Sequence, residues 1–150
     1  MTDVQIWSVD ERDNNWEKSD PRFRVYLHGS GTSTTHGWTA TFDITGADVL
    51  QVIDWAQRQA GDSLAYAVAL VWDDQAREPS HPGRARGLVW LLGMDGNESA
   101  ELPRVVEVQE RMLGRRRTPV GVPEQDRMPH GVSSVSPEQI SRLNKAQPPS

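Results

Sequence analysis

The sequence predicts an α+β fold: a two-layer domain whose mostly antiparallel, five-stranded sheet follows the order β-β-β-α-β-β, with one main helix, a second helix and a flexible C-terminal tail. Three observations carry this expectation. Phe23–Leu27 and Trp38–Thr45 alternate apolar and polar residues with period two, as half-buried strands do. Val49, Val52, Ile53, Ala56 and Ala60 recur at helical spacing. Leu64–Trp72 (LAYAVALVW) and Gly87–Met94 (GLVWLLGM) are apolar on both faces, the pattern of strands covered from two sides.

Taken in order, Val4–Val9 (VQIWSV) reads as a first strand, with Ile6 and Trp7 on opposite faces. The polar stretch ERDNNWEKSDP follows, and its single aromatic, Trp16, either caps the core edge or stays out as a contact residue. In the next strand Phe23, Val25 and Leu27 share one face, and Arg24, Tyr26 and His28 the other. Trp38, Ala40, Phe42 and Ile44 likewise point inward, with Thr39, Thr41 and Asp43 outward. The linker GSGTSTTHG makes these two a β-hairpin with a long tip.

The first helix is expected over 46–60, with Thr45 capping the amide of Asp48 and Gly61 ending it. Ordering a residue costs about 1–2 kcal/mol, so such a helix needs a sheet beneath it. In Leu64–Trp72 the large residues Leu64, Tyr66, Val68, Leu70 and Trp72 face one way, and Ala65, Ala67, Ala69 and Val71 the other. A row of alanines lets a helix approach closely, which places the first helix on that side. The Pro-punctuated loop DDQAREPSHPGRA joins this strand to Gly87–Met94 as a hairpin. The expected spatial order of the strands is 38–45, 23–27, 4–9, 64–72, 87–94.

Beyond the turn at Asp95, the residues Leu102, Val105, Val106, Gln109, Met112 and Leu113 follow helical spacing, with Pro103 near the start and Gly114 at the end. A strand across Arg104–Val108 is the competing reading. The domain is thereby expected to span 1–114, and 115–150 to be a flexible tail. Ser136-Pro137-Glu138-Gln139 is a capping box that allows a short helix over 137–146.

The chain of 150 residues has no cysteine, which excludes disulfide and thiolate chemistry and fits a reducing cytoplasm. Its N-terminus lacks the basic and apolar regions of a signal peptide. Arginine far outnumbers lysine, a bias that fits a bacterial or phage source of high-GC coding. The net charge of −5 disfavours general nucleic-acid binding, although the acidic excess lies in the first hundred residues.

Candidate chemistry is sparse. His28 and His36 flank the hairpin tip, but strand alternation sends them to opposite faces, so they do not share a metal. Gly29-Ser30-Gly31 lacks the spacing of a nucleophile elbow, and the tip lacks the Gly-Lys-Ser/Thr ending of a phosphate loop. Asp73, Asp74 and Glu78 sit at the opposite end of the hairpin from Asp95, too far apart for paired-carboxylate catalysis; Asp73 instead faces Arg86. No cofactor is called for.

The remaining signals are aromatics at interface-prone positions, Trp7, Trp16, Tyr26, Tyr66 and Trp72, together with the basic run Arg115, Arg116 and Arg117. They point to a small accessory protein that acts by protein–protein binding or self-association, such as an assembly factor, an inhibitor or an immunity-type protein, through the face away from the first helix. One alternative is a small enzyme or ligand-binding protein with a pocket near the 28–36 tip, using His28 or His36 beside Asp43 and Thr41. Another is nucleic-acid contact through Arg115–Arg117.

Overall fold

The computed structural model describes residues 4–29, 38–74, 79–80, 82–96 and 102–132. The elements are β1 (Phe23–Gly29), β2 (Trp38–Ile44), α1 (Val49–Ala60), β3 (Ala65–Asp73), β4 (Arg86–Leu92) and α2 (Pro103–Gly114), followed by a 3-10 turn at Glu124–Asp126. The strands form one antiparallel sheet in the order β2-β1-β3-β4. The class is therefore α+β, with four strands instead of the five expected.

The missing strand is Val4–Val9, which pairs with no other strand among the described residues. Its expected place between 23–27 and 64–72 is closed, because β1 pairs directly with β3. Side-chain volume explains the preference. Arg24, Tyr26 and His28 of β1 stand opposite Ala69, Ala67 and Ala65 of β3, large beside small. On the other face Phe23, Val25 and Leu27 meet Leu70, Val68 and Tyr66, apolar beside apolar.

The helices cover opposite faces of the sheet, so the arrangement is not two-layered where they overlap on β3. The expectation that the first helix lies on the alanine row is overturned. Val52, Trp55, Ala56 and Ala60 of α1 pack on Phe23, Val25, Leu27, Tyr66 and Val68, the side of the large residues. That face is set by the alternation of β1 and β2, whose Ala40, Phe42 and Ile44 join the same core. The small residues that allow close approach, Ala56 and Ala60, lie on the helix itself. The alanine row receives α2 instead: Met112 and Val108 pack against Ala65 and Ala67, beside Tyr26 and Trp90.

Residues 103–114 are helical, as the apolar spacing implied, and Pro103 opens the helix. The cap of α1 is Asp48, not Thr45. The Asp48 carboxylate accepts from the Gln51 amide at 2.9 Å, and the Asp48 amide donates to the Gln51 side chain at 3.0 Å. Helix α1 thus starts one turn later than expected, and Gly61 closes it with positive φ.

The expected boundary at Gly114 does not mark the end of the packed chain. Val122 and Met128 are buried. The Gln57 side chain clasps Val120, donating to its carbonyl at 2.9 Å and accepting from its amide at 2.6 Å. The buried Asp54 carboxylate accepts from the Met128 amide and from Arg58, each at 3.0 Å. The expected helix at 137–146 lies outside the described residues. Among the described residues no helix is long and apolar enough to cross a membrane.

Candidate docking surface

Helix α1 lies over β1 and β3 and covers β4 only at its end, where Leu92 joins the α1 core. Register assigns the side chains: Leu70 pairs with Phe23 on one side and with Val89 on the other, so Val89 faces the α1 side. Val89 is 52% exposed and Leu91 45%. A bulge between Val68 and Ala69 inserts Leu91 into β4 as an extra residue, and Leu92 turns into the α1 core beside Val68. At the other end Trp72 stands across from Gly87, and Trp16 lies against Trp72 with ring centroids 5.0 Å apart.

Trp16, Trp72, Val89 and the bulge residue Leu91 are thus exposed apolar side chains along an edge strand, roughly 14 Å from Gly87 to Leu91 at about 3.4 Å per residue. No strand pairs with the outer side of β4 among the described residues. A flat, apolar strand edge is a template for another strand, and proteins blunt such edges with bulges and charges. Here the blunting is confined to the ends: Leu91 in the bulge, and Arg86, which donates to Asp73 at 2.7 Å. That cross-strand pair is the one expected from sequence, and it holds the exposed Asp73 carboxyl below its usual range.

The other residues singled out in the sequence are dispersed. Trp7 is exposed on the N-terminal segment. Tyr26 is half-buried on the α2 side, 5.0 Å from the Trp90 ring and 6.0 Å from His28. Tyr66 is buried under α1, where its hydroxyl donates to the Gln57 side chain at 3.1 Å and burial pushes its pKa up. The arginines separate: Arg116 donates to the Ser63 carbonyl at 3.3 Å, Arg117 is exposed, and Nη1 of Arg115 is buried without a partner. The structure brings together Trp16 and Trp72, and Tyr66 with Arg115 and Arg116.

The last three line a cavity of about 290 Å³ with Gln57, Leu64 and Pro119. It lies where α1 ends, not at the hairpin tip, whose residues 30–37 are outside those described. His28 accepts from the Gly96 amide through Nε2 at 3.2 Å, so Nδ1 carries the proton and donates to the Thr39 hydroxyl at 3.3 Å. Asp43 is held by Arg22 and by Arg24, the latter at 2.6 Å. Burial pushes the Asp43 carboxyl up, but hydrogen bonds from Arg24 and Arg22 outweigh this and hold it below the usual range. His28 pairs across the sheet with Thr39, and Asp43 with Arg24, so the two are four positions apart along β1 and do not form a couple. Among the described residues no three His, Asp or Glu side chains converge on one point.

Sequence reasoning missed Val89 and Leu91, because an apolar run looks the same whether its faces are covered or bare. It also missed Asp54 and Gln57, the anchors of the 120–128 segment. A carboxylate beside an apolar stripe was the available signal for Asp54; Val122 and Met128 carry no periodicity that would reveal them. No protein-family model, curated protein or solved structure matches the chain.

Proposed function

We propose that this protein is a non-catalytic docking module that binds another polypeptide along β4. The observation that carries the reading is the exposure of Trp16, Trp72, Val89 and Leu91 beside an open strand edge. Edge backbone groups supply affinity through strand addition, and flanking aromatic rings supply buried contact area. The partner surface therefore moves from the face away from α1, which α2 covers over β3, to the α1 side of β4. The fixed roles of His28 and Asp43 in structural hydrogen bonds support the non-catalytic reading. Absence of cysteine supports a reducing, cytoplasmic setting, and the arginine bias a bacterial or phage accessory protein.

A photo-crosslinking side chain at position 89 of the full chain tests this in host lysate, with position 41 on the opposite edge strand as control. Attachment of a polypeptide at 89 and not at 41 is expected. No adduct, or equal adducts at both edges, overturns the proposal.

A second reading, binding of a small carboxylate or phosphate, is favoured by the unpartnered Nη1 of Arg115 at the 290 Å³ cavity. It ranks lower because the acidic Asp62 also lines the cavity and disfavours an anion there. Thermal unfolding with added inorganic phosphate or citrate decides it: no midpoint shift beyond that of an Arg115→Gln control removes this reading.

A further inference from the structure

Two uncovered features of the chain are complementary. One is the outer edge of β4 with its exposed Val89 and Leu91. The other is the extended arm Val4–Val9, in which Val4, Ile6, Trp7 and Val9 are all exposed, Ile6 to 92%. Its β-branched and aromatic residues suit a strand. The base of the arm is held: Trp16 rests on Trp72, and Asp10–Asp13 forms a turn closed by the Asp13 amide on the Asp10 carbonyl at 3.0 Å. The Asp10 carboxylate also pairs with Arg12 at 3.0 Å. On the exit this turn gives it, the arm finds no cover among the described residues.

We infer that the arm of one copy adds as an antiparallel strand to β4 of a second copy, and reciprocally, so that the chain forms a two-fold dimer by strand exchange. The inference rests on the docking reading above and names its partner.

Charge bears on the direction. The arm leads into Asp10, Glu11, Arg12 and Asp13, while Arg84 and Arg86 stand at the start of β4 and Asp95 beyond its end. Antiparallel addition with Trp7 beside Val89 carries Asp10 to Arg86, which also holds Asp73, and Arg12 to Arg84, so the acidic run meets a mixed cluster of Arg84, Arg86, Asp73 and Asp74. Parallel addition carries that run towards Asp95, like charge to like. In the antiparallel register Trp7 covers Val89 on the α1 side, and Val9 fills the space over Gly87 next to Trp72. Ile6 falls beside Trp90 on the α2 side. Direct opposition of Trp7 and Val89 also places Ser8 opposite Leu88. A two-fold axis then makes both contacts identical, a closed arrangement that does not propagate into filaments.

The absence of cysteine makes the test clean. Full-length Ser8→Cys and Leu88→Cys chains are mixed under mild oxidation, with Thr41→Cys on the β2 edge in place of Leu88→Cys as control. A disulfide heterodimer between 8 and 88, and none between 8 and 41, is expected, since opposed residues of an antiparallel pair lie within disulfide range. In sedimentation velocity the unmodified chain should run as a dimer. Removal of residues 1–9, or Val89→Lys, should give a monomer whose circular dichroism is unchanged. A monomeric full chain, a dimer that survives loss of the arm, or no 8–88 heterodimer overturns the exchange. The position-89 cross-linker keeps the two ideas apart: an adduct with a different polypeptide retains the docking edge without the exchange, and no adduct removes both.

Discussion

At the scale of single residues, the His28 ring is fixed on three sides by its neighbours. Its ring lies between Tyr26, Thr39 and the Gly96 backbone, and a Cβ on Gly96 would come within 2.8 Å of it. Burial pushes the His28 imidazole below its ordinary 6.5, and nearby Asp95 opposes this without reversing it. Because Nε2 accepts a hydrogen bond, protonation breaks a native contact. The unfolded chain therefore takes the proton more readily. Stability is full above about pH 6.5, falls as pH drops through that value towards the folded pKa, and levels off below it. An NMR titration of the His28 ring should give a midpoint below 6.5, and His28→Gln should lose this part of the acid-side decline in denaturant midpoint. Asp54 plays the opposite part, a charge that is buried and used. Asp54→Ala leaves the Met128 amide without its acceptor, and Arg58 with the Met128 carbonyl but not the carboxylate, and should cost about 1–3 kcal/mol. Faster hydrogen exchange at Met128, measured alongside, identifies the lost contact as the cause.

At the scale of elements, the two helices divide the sheet according to side-chain volume. Helix α1 brings its own small residues to a face of large ones, and α2 brings Met112 to a face of small ones. The corner between β4 and α2 depends on that second fit. Gly93 has φ of +76°, and a Cβ there would lie 3.0 Å from the Ala67 Cβ and 3.2 Å from the Met112 side chain. Both the backbone conformation and the space disfavour any larger residue. Gly93→Ala should therefore destabilise by about 1–3 kcal/mol in equilibrium unfolding, and a change within about 0.5 kcal/mol would show that α2 does not press on the alanine row. Periodicity foretold both helices and four strands correctly in kind. It misjudged Val4–Val9, whose β-branched and aromatic residues suit a strand but pair with none among the described residues. It also misplaced α1, because one strand was weighed without its neighbours.

At the scale of the whole molecule, the chain beyond α2 contributes to the core it was expected to leave. Val122 and Met128 are buried, and Gln57, Asp54 and Arg58 of α1 hold the backbone at Val120 and Met128. Truncation after Arg117 removes these contacts and should lower the unfolding free energy by several kcal/mol, taking about 1.5–3 kcal/mol for each large apolar side chain lost. Denaturant unfolding of the truncated and full chains checks this; equal midpoints would mean that the segment rests on α1 without stabilising it.

Composition and periodicity by themselves determined the α+β class, the hairpin pairings, the interval of α2 and the Asp73–Arg86 pair, because each follows from local spacing or from a short connection. Tertiary structure alone decided which face α1 takes, that the sheet closes without Val4–Val9, and that Val89 on the α1 side of β4 stays exposed. Those outcomes depend on how the volumes of three adjacent strands match across the sheet, and no single stretch of sequence contains that information.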